Sequence, residues 1–303
     1  MADPLNQKKT IVVKIGTEAL SNAQGLPDLT VLAPLTHQLV ALKKAGHAVV
    51  LVTSGAVGVG RHLLGWDKAK KLTLRERQVA SKRGQVELMR LYGDLLRYDD
   101  IGVTQSLFER RHFGNEDVSP VEDVAAPLFV ELGMPNIIPI INENDGAATT
   151  ELRFTDNDQL AKHVSRLIQA DTMIVLSNVD GVYTTNPSDP SARKITTINF
   201  CDPSTWQGID TNGTSSSGLG GMKGKIKAAH CFLCGREGER ACDPAPWAHW
   251  QRQVFIANSR TPNVVTRLLA GEEGVGTRLI CQPEGNAPPK RCYLSQFPIA
   301  KNG

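Results

Sequence analysis

The chain has 303 residues, 41% of them apolar, and a net charge of +3. This suffices for one large α/β domain or two small ones with a real core, and the charge is too small for a nucleic-acid protein. No run of 18 apolar residues offers a membrane span, the start MADPLNQKKT lacks the apolar segment of a signal peptide, and six irregularly spaced cysteines fit a reducing compartment better than a disulfide framework, so the expectation is a cytoplasmic protein with no membrane or nucleic-acid partner.

Residues 10–15, TIVVKI, read as a buried strand interrupted by Lys14. A lysine there is costly unless its ammonium meets an anion; the alternative is an edge-strand lysine kept for solubility. Gly16-Thr17 follows as a turn through which a ligand can approach the backbone. Residues 29–45 form a helical pattern, with Leu32, Leu35, Leu39 and Leu42 on one face and Gly46 as the stop. A second buried strand, 47–53, runs into SGAVGVG at 54–60. Strand, glycine turn and helix together aim free backbone N–H groups at an anion, although the spacing is not that of a dinucleotide fingerprint. Residues 67–98 read as mostly helical and basic, a solvated surface rather than a nucleic-acid face because acids are interleaved and aromatics few. A strand at 101–106 and a helix at 121–132, stopped by Gly133-Met134-Pro135, come next.

The most informative stretch is 136–160. A buried strand at 137–141 breaks into Asn142-Glu143-Asn144-Asp145, and a second polar run, Asp156-Asn157-Asp158, opens a helix at 160–170. Five carboxylates fall between Glu143 and Asp158, with Arg153 alone among them to offset the charge. Such crowding calls for a cation: lysines from elsewhere, a metal ion, or a substrate ammonium. In parallel α/β sheets ligands bind off the carboxyl ends of the strands, where this run would lie. The bland alternative is a solvated acidic loop followed by an ordinary Asp/Asn helix cap.

A strand at 172–177 ends in the polar turn from Asn178 to Tyr183, and this alternation of strands with helices predicts a mainly parallel sheet covered on both faces. Residues 211–227 are glycine-rich, with Lys223, Lys225 and Lys227 behind Gly218, Gly220, Gly221 and Gly224; the run is not a Walker A loop, and alone it is a weak phosphate signal. Cys231, Cys234, Cys242 and His249 have zinc-like spacing, but the first two read better as core cysteines one turn apart on a helix begun at Met222. Trp247 and Trp250 suggest packing against the body or a partner subunit. A strand at 254–258, a helix at 263–270 and an edge strand at 274–279 close the pattern, before a proline-rich polar tail.

Taken in order, VVKIGT, LVTSGAVGVG, IINENDGA, DNDQLA, VLSNVDGVYT and GLGGMKGKIKAA resemble the motifs of the amino-acid kinase family over residues 9–279. The resemblance is strongest to the members that phosphorylate glutamate. It implies an α/β/α sandwich around an open, mainly parallel sheet of about eight strands. It implies one kinase domain, 9–280, with an N-lobe (9–170) for the acid substrate and a C-lobe (171–280) for ATP, then a short tail, 281–303, too short for the PUA domain that many members carry. The implied reaction converts ATP and L-glutamate to γ-glutamyl phosphate and ADP, the first committed step toward proline. By the same resemblance Lys14 and Lys225 reach the phosphates, and Asp158 holds the lysines rather than acting as a base. Ser54, Gly55, Ala56, Asp145 and Asn157 match glutamate-binding positions, with Asp145 as partner of the ammonium. Lys14, Gly16, Ser177, Asn178, Leu219, Gly220, Gly221, Met222, Lys223, Gly224 and Lys225 match the nucleotide site. Magnesium would ride on the ATP phosphates without a dedicated protein cage. A homodimer or homotetramer, and L-proline as feedback inhibitor, are further implications. Asn178 stands where many members have Asp, GLGGM is shorter than the common form of the loop, and residues 235–253 look like an insertion. Two alternatives stay open: a kinase of the same fold acting on aspartate, acetylglutamate, carbamate or a nucleoside monophosphate, and a catalytically silent amino-acid or nucleotide sensor.

Overall fold

A computed structural model describes residues 7–113, 121–147, 149, 156–206, 209, 221–234 and 252–282. The elements run β1 (Thr10–Ile15), α1 (Thr17–Leu20), α2 (Leu29–Lys44), β2 (Ala48–Val52), α3 (Ala56–Leu63), α4 (Leu74–Leu96), β3 (Gly102–Phe108), α5 (Val121–Gly133), β4 (Ile137–Glu143), α6 (Asn157–Leu167), β5 (Thr172–Ser177), β6 (Val182–Tyr183), β7 (Lys194–Ile195), β8 (Thr197–Asn199), α7 (Met222–Cys234), β9 (Gln253–Asn258), α8 (Val264–Leu269) and β10 (Gly276–Ile280). Among the described residues eight strands form one sheet in the order β3-β4-β2-β1-β5-β9-β10-β8, parallel throughout except between β9 and β10. The short β6 and β7 pair antiparallel beside it.

Alternation along the strands builds a core on each face. Ile11, Val13 and Ile15 of β1 join one cluster, packed under α2, α3, α4 and α8. Val12 joins the other, under α5, α6 and α7. Side chains of a strand alternate with period two, so Lys14 falls on the Val12 face, beneath α6 and α7. The strand β1 sits at the centre. The chain leaves it toward β2, β4 and β3 on one side and comes back to β5 and β9 on the other. Reversals of this kind open a crevice at the carboxyl ends of the central strands.

Two close approaches fix the helices beside that crevice. Gly55, between β2 and α3, has φ 95°, and a Cβ there would meet Leu20 Cδ2 at 2.8 Å. Helices α3 and α4 cross with backbones in contact: a Cβ on Gly60 would lie 1.7 Å from the Ala80 carbonyl oxygen, and one on Gly84 1.9 Å from that of Ala56.

The structure differs from the sequence expectations at four places. The strand expected to break at Asn142 continues through Glu143, because β3 keeps pairing with it, Leu107 with Asn142 and Phe108 with Glu143. The long basic helix starts at Leu74 rather than near 67, because Thr73 and Glu76 form a reciprocal capping box. Helix α6 starts at Asn157, three residues early, because the Asp156 side chain caps it. The last strand is not at the edge: β8, to which the sequence pattern assigns no element, pairs outside it. Helix α7 begins at Met222 as expected, which puts Met222, Lys223, Gly224 and Lys225 in its first turn. Leu219, Gly220, Cys242, His249, Trp247 and Trp250 lie outside the described residues. No described helix is long and apolar enough to cross a membrane.

Candidate active site

Three side chains from distant parts of the chain meet at the carboxyl end of β1. Asp158, in the first turn of α6, is fully buried, and Lys14 of β1 is 4% exposed. The Lys14 ammonium donates to Asp158 Oδ1 at 2.5 Å. The Lys225 ammonium, from the first turn of α7, donates to Asp158 Oδ2 at 2.8 Å. Of the neighbouring lysines, Lys227 is exposed and Lys223 half-buried, so α7 aims one of its three lysines at this carboxylate.

The electrostatics follow from burial. Burial pushes the Asp158 carboxyl upward, but the Lys14 and Lys225 charges overcome it and hold it below the ordinary value. Burial pulls the Lys14 ammonium down against the attraction of Asp158, and the Lys225 charge adds to that pull. Asp156 is raised by burial and then by the negative charge of Asp158. Its Oδ1 accepts from the backbone N–H groups of Asp158 and Gln159, both at 3.0 Å. Its Oδ2 lies against Gly224, where a Cβ would come within 2.9 Å. The amino-terminal ends of α6 and α7 therefore face one point, beside two lysines that share one carboxylate. Two lysines and two helix N-termini at one point suit a multiply charged anion. Gly16 keeps the approach open, since a Cβ there would stand 3.1 Å from Lys14 Nζ.

A second, uncharged network adjoins the first. Asn157 Nδ2 donates to the Thr53 carbonyl at 2.6 Å and to Asn142 Oδ1 at 3.0 Å. Asn142 Nδ2 in turn donates to Gln85 Oε1 on α4, at 2.9 Å. Both hydrogens of the Asn157 amide are committed, which leaves its Oδ1 to receive a donor such as an ammonium group. Gln85 Nε2 is buried and has no partner among the described residues.

The profile of the amino acid kinase family matches residues 9–237. This chain belongs to the amino acid kinase family. Among curated relatives, the glutamate 5-kinase of Synechococcus sp. (strain JA-2-3B'a(2-13)) is 36% identical over 290 residues, covering 93% of this chain and 71% of the relative. The glutamate 5-kinase of Enterococcus faecalis (strain ATCC 700802 / V583) is 32% identical over 285 residues, covering 92% of this chain and 97% of the relative. A solved isopentenyl phosphate kinase superposes with a TM-score of 0.58 at 21% identity, over 89% of this chain and 99% of that one, a likeness of fold alone.

The remaining positions singled out by the family motifs fall around the same crevice. Ser54 follows β2 and its Oγ lies 2.8 Å from Thr17 Oγ1, while Gly55 and Ala56 open α3. Asp145 is half-buried in the turn after β4. Ser177 ends β5, its hydroxyl donating to Asn178 Oδ1 at 3.3 Å, and Asn178 Nδ2 donates to Glu18 of α1 at 3.3 Å. Asn258 of β9 donates to the Asn178 carbonyl at 3.1 Å, tying the two strand ends together. Sequence reading missed Gln85 and the partnership of Asn142 with Asn157. The signal for Gln85 was present: Ser81, Gln85, Leu88 and Tyr92 recur at helical spacing, and all four are buried.

Proposed function

We propose that this kinase-family chain transfers the γ-phosphoryl group of ATP to the γ-carboxylate of L-glutamate, giving γ-glutamyl phosphate and ADP. The observation that carries this reading is the Lys14–Asp158–Lys225 cluster at the head of two helices. The likeness to the glutamate 5-kinases supports the choice of acid.

The chemistry asked of the site is small. A γ-carboxylate is ionised at neutral pH, so the nucleophile needs no general base. Catalysis then consists of holding two anions in line and neutralising charge as it moves between their oxygens. Lys14 and Lys225 supply that neutralisation. Asp158, with both oxygens engaged and its carboxyl held ionised, orients the lysines and takes no proton. Asn157 Oδ1 and the Asp145 carboxylate receive the α-ammonium of glutamate. The first turn of α3, with Ser54 before it, faces the substrate carboxylates, and the Ser177–Asn178 turn and the Gly221–Lys225 turn flank the nucleotide. The acid substrate thus belongs to the half before 170 and the nucleotide to the half after it.

Among the described residues no group of three or more His, Cys, Asp or Glu side chains could hold a metal ion. Magnesium would enter on the nucleotide phosphates and screen their charge.

The test is ADP release with ATP, magnesium and each of glutamate, aspartate and acetylglutamate, with hydroxylamine to trap the acyl phosphate. A hydroxamate formed with glutamate alone is expected. Turnover with another of the acids would overturn the assignment of Asp145 and Asn157, and ATP binding with no turnover would overturn the reading as an enzyme.

A further inference from the structure

At the edge of the sheet opposite β3, two thiols stand together that the reaction above does not use. Strand β8 runs parallel to β10, Ile198 beside Leu279 and Asn199 beside Ile280. The pairing continues past both strands. Phe200 N–H donates to the Ile280 carbonyl at 2.9 Å. Asn199 clamps the next residues with its side chain: Nδ2 donates to the Gln282 carbonyl at 2.8 Å, and Oδ1 accepts from Gln282 N–H at 3.0 Å and Cys201 N–H at 3.1 Å. The backbone therefore sets Cys201 beside Cys281, and their sulfurs lie 3.0 Å apart. Cys281 is buried in the core under α6 and α7, whereas Cys201 is partly exposed.

We propose that Cys201 and Cys281 are a reversible disulfide site, closed by exchange with a low-molecular-weight disulfide and stapling the edge strand β8 to β10. The sulfurs must approach by about 1 Å to bond, a movement within reach of side-chain rotation. The Cys201 thiolate, the accessible one, attacks a sulfur of the external disulfide, forming a mixed disulfide and expelling one thiolate. The Cys281 thiolate then attacks the Cys201 sulfur, forming the protein disulfide and expelling the second thiolate. The two protein thiols are oxidised, the external disulfide is reduced to two thiols, and the protons lost by the cysteines end on those thiols. The bridge encloses residues 202–280, the segment that holds β9, α7 and Lys225. Closing so long a loop restricts the unfolded chain strongly, so the bridge should stabilise this half of the molecule. The inference does not depend on the proposed reaction.

The test uses the full chain, reduced and then incubated with oxidised glutathione, alkylated, digested and read by mass spectrometry. A peptide pair linked through Cys201 and Cys281 is expected. It should vanish with dithiothreitol and be absent from Cys201→Ser and Cys281→Ser. Thermal unfolding of the oxidised wild type should shift up by roughly 5 °C, with no shift in Cys201→Ser. Recovery of both cysteines in alkylated form, or of Cys201 arrested as its glutathione adduct, would overturn the site. A bridge that leaves the unfolding midpoint unchanged would overturn the staple. Should either variant fail to fold, the linked peptide and the midpoint of the wild type still decide the matter.

Discussion

Two sets of ion pairs in this molecule use the same chemistry to different ends. On the outer face of α4, Arg90 reaches Glu87 at 2.6 Å and Asp94 at 2.7 Å, one turn away on either side, and the trio is open to solvent. At the carboxyl end of β1, Lys14 and Lys225 reach Asp158 at 2.5 Å and 2.8 Å across sequence separations of 144 and 67 residues, and the carboxylate has no exposure. The distances barely differ; the dielectric does. Exposed pairs exchange one hydrated state for another and contribute little. A buried carboxylate flanked by two ammonium groups is held by them and, in turn, offsets much of the cost of their burial. Geometry alone does not make an ion pair matter. Removal from water does, and it makes the cluster sensitive to an incoming anion.

The contrast is sharpest on replacing Asp158 by Asn. Two ammonium groups would be left without their carboxylate, and the unfolding free energy in urea should fall by about 3–5 kcal/mol. An unchanged urea midpoint would break the comparison. Lys14→Ala and Lys225→Ala come next: each should lower turnover by on the order of 10²–10³, with a smaller effect on the apparent KM for glutamate. Near-wild-type turnover in either would remove that lysine from the charge-neutralising pair. Gln85→Leu tests the uncharged network. Loss of one hydrogen bond that orients Asn142, and through it Asn157, should raise the KM for glutamate up to about tenfold while the KM for ATP stays put. Equal rises in both constants would argue for a general loosening instead.

The smallest effects belong to the surface of α4. Arg90→Ala should leave the urea midpoint where it was, in low salt and in high. Glu76, held by Lys70 and then by Thr73 in the capping box, has its carboxyl lowered to about 2 from 4.5. A depressed carboxyl stabilises the fold above its unfolded value, and that contribution is lost as pH falls through the folded one. Amide exchange in the first turn of α4 should therefore be slower in the wild type than in Glu76→Gln at neutral pH, with the gap closing as pH falls from 4.5 toward 2. A gap that persists at the acid end would separate the cap from its charge.

Most of the sheet was legible because buried parallel strands are nearly continuous apolar runs, as in TIVVKI and HAVVLVT. Lys14 stood out for the same reason: one charge in such a run asks for a partner. What spacing could not supply was which partner, a choice that came from the family resemblance. Asp156 and Asp158 both read as helix-cap residues, and only packing against β1 and α7 divides them into a cap and an ion-pair partner. Likewise three lysines at alternate positions look equal by spacing; the family resemblance singles out Lys225, the one that α7 turns toward Asp158. Strand β8 escaped notice because the run KITTINF is split between two partners, Lys194–Ile195 on β6 and Thr197–Asn199 on β10, leaving neither piece long enough to read. Gln85 was hidden by its helix, whose charged face dominated the reading.

The crossing of α3 over α4 constrains how this chain can change over generations. Gly60 faces the Ala80 carbonyl and Gly84 faces the Ala56 carbonyl, so each glycine abuts main chain and not a side chain. A bulky newcomer in an ordinary core can be accommodated when a neighbour is trimmed. Here there is no neighbour to trim, since every amino acid brings the same carbonyl. A larger residue at either glycine would have to lift one helix off the other, and with it Ala56 at the mouth of the crevice and Gln85 behind Asn142. The two positions are therefore closed to gradual exploration, and lineages that vary freely along the solvent face of α4 should keep this pair of glycines together or lose both at once.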